Sequence, residues 1–233
     1  MTSADELRAR LRRDPNDTIA FSELRAQYEQ LADHASLANL LEGWGERVSD
    51  PVIAAGSFYE AGDLAISRLR DRARATSLFE KALARDPLHL DSSNQLERIA
   101  EESGDRRKLV EVLERRVKAL ETARADPRHV SLAHQRLGEL WEQRVGRTDR
   151  ALVHYRRAVE LDPSAIAAIY AAREIYRKAG NLREAAALYA LEADAETDVE
   201  RRIALHRELA LLLRDALSDL EGALGALRKA RSL

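Results

Sequence analysis

Cysteine is absent from this chain of 233 residues. That excludes a disulfide framework, a thiolate metal site and a cysteine nucleophile. Aromatic residues make up only 5%. Strand formers are scarce, with 10 Val, 8 Ile and 6 Thr. A β-rich fold is therefore disfavoured from the outset. Charge of either sign is not in excess: 38 basic residues face 40 acidic ones. No bulk positive field exists to hold nucleic acid through its phosphates. No apolar run reaches the length of a membrane span. The start, Met1-Thr2-Ser3-Ala4-Asp5-Glu6, has neither a basic nor an apolar signal region. These absences predict a cytoplasmic protein with no membrane or nucleic-acid partner.

Helix formers are plentiful, with 40 Ala and 35 Leu. Together with Arg and Glu they top the helix scale. Charged residues at 33% and hydrophobic ones at 45% predict a soluble chain able to fold. Arg outnumbers Lys 33 to 5, as a GC-rich bacterial genome would give.

The five prolines all follow aspartate: Asp14-Pro15, Asp50-Pro51, Asp86-Pro87, Asp126-Pro127 and Asp162-Pro163. Successive aspartates lie 36, 36, 40 and 36 residues apart, and 36 more reaches Asp198. The chain reads as a leading helix in 1–13 and six repeats: 14–49, 50–85, 86–125, 126–161, 162–197 and 198–233. Such a period marks a solenoid or array. Proline suits the first helical position, and aspartate before it can cap an orphan N–H. Each Asp-Pro is thus expected to end one helix and start the next. The third repeat carries four extra residues, about one helical turn. The helix with Leu109, Val112, Leu113, Val117 and Leu120 can absorb them.

Each repeat reads as two antiparallel helices, which predicts about thirteen in all. In repeat four, Leu137, Leu140 and Trp141 precede a turn at Gly146, and Ala151, Leu152, Tyr155, Ala158 and Val159 follow it. Spacings of three and four place each set on one helical face. Odd repeats put a small residue at the mid-repeat turn, Ala32, Gly104 and Gly180. Even repeats place small residues at Gly62, Gly138 and Ala210, and at Ala82, Ala158 and Ala230. The true unit then spans two repeats and four helices, present three times.

These residues resemble the tetratricopeptide repeat (TPR) family, whose pattern is Trp-x2-Leu-Gly-x2-Tyr, Ala-x3-Phe, Ala and Pro. Repeat four matches as His134-x2-Leu137-Gly138-x2-Trp141, Ala151-x3-Tyr155, Ala158 and Pro163. Repeat two matches as Phe58-x2-Ala61-Gly62, Ala75-x3-Phe79, Ala82 and Pro87. Repeat five keeps Tyr176-x3-Gly180 and Ala185-x3-Tyr189, and repeat six keeps Leu209-Ala210. Odd repeats depart from the family where a late small residue becomes Trp44, Arg116 or Glu192. The resemblance implies an all-α fold, a right-handed superhelical solenoid of helical hairpins over 14–233.

It also implies a non-catalytic protein-binding scaffold, whose first helices line a concave groove for a partner peptide or helix. The matching positions are Ser22/Ala26, Tyr59/Asp63, Asn94/Arg98, Gln135/Glu139, Tyr170/Glu174 and Arg207/Leu211. The partner-binding candidates are Tyr59, Asn94, Arg98, Gln135, Glu139, Tyr170, Glu174 and Arg207, with Arg98 and Tyr170 as anchors. The Lys and Asn set that holds a terminal carboxylate in chaperone-binding members is missing.

Other chemistry finds little support. His134 and His206 share a slot with Phe58, which reads as a packing position. His129 and His134 do not share a helical face, so no metal site and no cofactor are expected. Acid pairs such as Glu101-Glu102 sit on solvated faces, no phosphate loop or nucleophile motif occurs, and no enzyme is expected. The arginine runs Arg8–Arg13 and Arg68–Arg74 lie among acids without interleaved aromatics. Trp44 is expected to seal the contact with the next hairpin; as a partly exposed anchor it would instead meet a partner. A structural role is the alternative to the scaffold: a segment of a self-assembling or longer array, meeting its neighbour through the helix with Leu220, Leu224 and Leu227. The last repeat closes at 233 without a further polar capping helix.

Overall fold

The computed structural model describes residues 3–233, and every regular element in it is helical. There are thirteen α-helices: α1 (Ala4–Arg13), α2 (Thr18–Gln30), α3 (His34–Arg47), α4 (Pro51–Ser67), α5 (Arg72–Arg85), α6 (Leu90–Ser103), α7 (Arg106–Thr122), α8 (Pro127–Leu140), α9 (Thr148–Leu161), α10 (Ile166–Lys178), α11 (Leu182–Ala195), α12 (Val199–Asp215) and α13 (Leu220–Ser232). The expected leading helix is α1; Met1 and Thr2 lie outside the described residues. A π-helical turn, Trp141–Val145, extends α8. No strand occurs among the described residues.

The Asp-Pro pairs do two different jobs, which corrects the expectation that each starts a helix directly. In even repeats the aspartate is the N-cap. Asp50 accepts from the Val52 and Ile53 amides at 2.8 and 3.1 Å, and Pro51 is the first helical residue. Asp126 accepts from Arg128 N at 2.8 Å and Asp198 from Arg201 N at 2.7 Å. In odd repeats Asp14, Asp86 and Asp162 instead close α1, α5 and α9 with extended backbone. Each folds its carboxylate over the amide two residues on, at 3.0, 2.9 and 3.0 Å. That is an Asx turn. The proline sits inside this turn, and the next helix begins at Thr18, Leu90 or Ile166. Asp17 and His89 provide the N-caps of α2 and α6. The odd first helices are therefore shorter: α2 and α10 have 13 residues, against 17 in α4 and α12.

The turn inside each odd repeat needs a left-handed residue. Ala32, Gly104 and Gly180 have φ of 51°, 70° and 79°. This explains the small residues at that slot, since side chains other than glycine resist positive φ. The four extra residues of repeat three mostly lengthen α7, which has 17 residues against 14 in α3 and α11.

The chain divides into two compact units, residues 1–119 and 120–233. The first holds α1 to most of α7, around a core of Leu7, Leu24, Leu41, Leu78, Phe79 and Leu96. Burial of each such side chain contributes about 1.5–3 kcal/mol. The second holds α8 to α13, with one cluster around Tyr155, Ala158 and Ala172 and another around Tyr189, Leu205 and Leu209. Two glycines let helices approach an aromatic ring. A Cβ on Gly62 would lie 2.6 Å from the Phe79 ring, and one on Gly138 2.7 Å from the Tyr155 ring. Trp44 is buried and stacks on Phe21 of its own hairpin, with ring centroids 4.3 Å apart. It is not exposed as an anchor.

Candidate partner-binding surface

The expected surface derives from α4 and α6 in the first unit and from α8, α10 and α12 in the second. In the first unit the Tyr59 ring is half-buried between Phe79 and His89, with centroids 5.8 and 5.4 Å away. Asn94 and Arg98 lie one turn apart on α6 and are exposed. Asn94 accepts a long contact from Arg116 at 3.4 Å, and Arg98 approaches Glu102 at 4.0 Å. Exposed pairs of that kind contribute little stability, so Arg98 can exchange partners at small cost.

In the second unit Gln135 donates to Glu139 at 2.9 Å along α8. Tyr170 on α10 keeps 47% of its surface exposed. Glu174, one turn further, is half-buried and bonded by Arg177 at 2.9 Å. That hydrogen bond, against some burial, holds its carboxyl below the usual range. Arg207 on α12 is exposed, as is Leu211. The structure thus brings together Gln135 with Glu139, and Tyr170 with Glu174 through Arg173. Tyr59 packs inside its own unit, and Arg98 and Arg207 stand free of other candidates.

Beneath Tyr170 lies a group that the sequence reading missed. Arg173 is 2% exposed, and its guanidinium lies 4.9 Å from the Tyr170 ring centroid and 4.0 Å from that of Tyr189. Its ion-pair partners are the equally buried Glu192 of α11, at 3.1 Å, and the adjacent Glu174, at 3.3 Å. The pair is close but poorly aligned: Arg173 Nε and Nη1 and Glu192 Oε2 make no hydrogen bond. Cation–π contact with two tyrosines replaces part of the lost hydration. Burial pushes the Glu192 carboxyl up against the pull of Arg173. A signal was present in the sequence. Glu97 and Arg116 stand 19 residues apart, as do Arg173 and Glu192, at the same slots and with the charges exchanged. The first pair is also in contact, at 3.4 Å, with Glu97 buried.

His134 is buried, in keeping with its packing slot. Its Nδ1 lies 3.1 Å from that of His154, and its Nε2 3.3 Å from Glu121. Burial, followed by the charge of His134, pushes His154 down to about 4. Among the described residues no group of three His, Asp or Glu could hold a metal ion. None of the described helices is long and apolar enough to cross a membrane.

No protein-family model and no curated protein matches the sequence. Solved structures do match. The C-terminal part of a TPR repeat-containing protein from Cytophaga hutchinsonii is 14% identical, with 98% of this chain and 92% of that one covered, at a TM-score of 0.50. PilF of Pseudomonas aeruginosa is 16% identical over 99% of both chains, with a TM-score of 0.45. YrrB, a TPR protein with an unusual peptide-binding site, is 19% identical over 87% of this chain and 98% of its own, with a TM-score of 0.46. The chain is a helical-repeat protein with a TPR-like fold.

Proposed function

We propose that the protein is a non-catalytic scaffold that binds a partner peptide or helix across the first helices of its hairpins. The observation that carries this reading is the exposed Tyr170 edge, set on the rigid Arg173–Tyr189–Glu192 group. A half-exposed aromatic on a fixed platform loses little freedom when covered, which is what a binding anchor requires. Glu174 and Arg177 on the same helix, and Arg207 on the first helix of the next hairpin, supply directed polar contacts. The fold favours this reading over catalysis, because function on a repeat scaffold resides in its surface. We place the scaffold in the bacterial cytoplasm.

Affinity capture with mass spectrometry would identify the partner. Tyr170→Ala should then weaken binding by ~2 kcal/mol or more, with helicity unchanged. Arg156→Ala with Arg157→Ala, on the second helix α9, should leave binding intact. The reverse outcome refutes the reading.

Self-assembly is the second reading, and one observation favours it. Leu220, Leu224 and Leu227 form one stripe on α13 and are 65%, 55% and 47% exposed. Light scattering across a concentration series separates the two. A monomer supports the scaffold, and oligomers abolished by Leu224→Glu support assembly.

A further inference from the structure

A cavity of about 630 Å3 opens in the first unit between α1 and α3, over α2. Its floor is apolar, because the buried Leu11, Leu24 and Leu40 line it. Three exposed arginines, Arg8, Arg12 and Arg47, complete the lining, and no acidic residue takes part. The segment as a whole is not basic. Residues 1–48 hold nine Asp or Glu against six Arg and no Lys. Three of these six arginines stand at the cavity, two from the basic α1 and one from α3, which otherwise carries Glu42 and Glu46.

Arg8 is held in place. Its Nε donates to the Tyr28 hydroxyl at 2.8 Å and its Nη1 to Asp5 at 2.9 Å. Arg12 and Arg47 have no hydrogen-bond or ion-pair partner among the described residues. Arg47 lies back along α3 over Gly43, where a Cβ would stand 3.2 Å from its Nη2. The missing side chain at Gly43 therefore leaves room for both the guanidinium and the cavity. Ser36 and Asn39 add neutral polar groups to the same wall.

We propose that this cavity binds a carboxylate carried on an apolar body, apart from the first-helix surface described above. Arg12 and Arg47 take the anion, Arg8 adds to the field, and the leucine floor receives the apolar part. Guanidinium groups match carboxylate geometry through paired N–H donors. The volume lies within the range of ligand sites, about 300–1,000 Å3. The same chemistry can come from a free amphiphilic carboxylate, or from an acidic residue beside a large apolar one in a peptide.

Calorimetric titration of the full chain distinguishes these sources. The probes are decanoate, the peptide acetyl-Leu-Glu-Phe-Asp-amide and its neutral counterpart acetyl-Leu-Gln-Phe-Asn-amide. We expect decanoate, the acidic peptide or both to bind, and the neutral peptide not to bind. Binding of decanoate alone identifies a free carboxylate as ligand; binding of the acidic peptide identifies a protein segment. Arg12→Gln with Arg47→Gln should weaken binding on the order of tenfold or more. Gly43→Leu fills the space and suits the helix, so it should abolish binding while keeping helicity and thermal midpoint. Arg156→Gln with Arg183→Gln removes the same charge elsewhere and should change nothing. No binding of either acidic probe overturns the proposal, as does binding that ignores the Arg12, Arg47 and Gly43 variants.

Discussion

Gly138 sits where α8 meets α9, facing the Tyr155 ring. A methyl group there would stand 2.7 and 2.8 Å from two ring carbons. The favourable carbon–carbon distance is about 3.5–4.0 Å, so the overlap approaches 1 Å. The ring has little room to yield. Tyr155 is 1% exposed, and its hydroxyl donates to Glu142 at 2.9 Å. Overpacking of this kind costs ~1–3 kcal/mol, while alanine gains about 1 kcal/mol of helix propensity over glycine. Gly138→Ala should therefore lose about 1 kcal/mol net, lowering the midpoint of its transition by ~2–4 °C. At the same slots repeat six carries Ala210 and the smaller Leu227, which is 47% exposed. Tyr155→Leu should thus relieve Gly138→Ala, and the double variant should be more stable than the summed singles by about 1 kcal/mol. Urea unfolding followed by far-UV circular dichroism measures all four corners of the cycle. Equal or higher stability of Gly138→Ala, or strict additivity, would refute the close-approach argument.

Glu192→Gln leaves the buried Arg173 with only the half-buried Glu174 as counter-charge and should cost ~1–3 kcal/mol in the same denaturation assay. Exchanging the pair, Arg173→Glu with Glu192→Arg, copies the polarity of Glu97 and Arg116 and should recover part of that loss. The facing rings of His134 and His154 predict acid sensitivity. Burial holds both below their usual value, His154 at about 4, so the unfolded chain binds more protons between pH 6.5 and 4. Stability should be fully present above pH 6.5 and fall by on the order of 2 kcal/mol as pH drops to 4. His134→Phe, which copies Phe58 at the same slot, should flatten this slope between pH 6.5 and 4. Ala32→Gly relieves a φ of 51° at the slot of Gly104 and Gly180, and should raise stability by about 1 kcal/mol. A midpoint that falls would contradict the strain.

The helical hairpins were legible in the sequence because their signals are local and repeated. Asp-Pro punctuation, apolar spacing of three and four, and small residues at Gly62, Gly138 and the odd-repeat turns each report on a backbone within a few residues. Repetition in register then places thirteen helices. The dual use of Asp-Pro was not legible. Whether the aspartate caps a helix or makes an Asx turn depends on the three following residues and on how the chain enters the next hairpin. The positions of Tyr59, Arg98 and Tyr170 on first helices followed from register, but their exposure did not. Tyr59 is drawn between Phe79 and His89, while Tyr170 is propped outward by Arg173. The burial of the Arg173–Glu192 pair and the arginine-lined cavity over Leu24 were decided only by tertiary structure. Both arise where side chains from different helices converge at distances that periodicity does not specify. Local sequence sets which face each helix buries; the meeting of those faces sets which charges are covered and which remain open to a ligand.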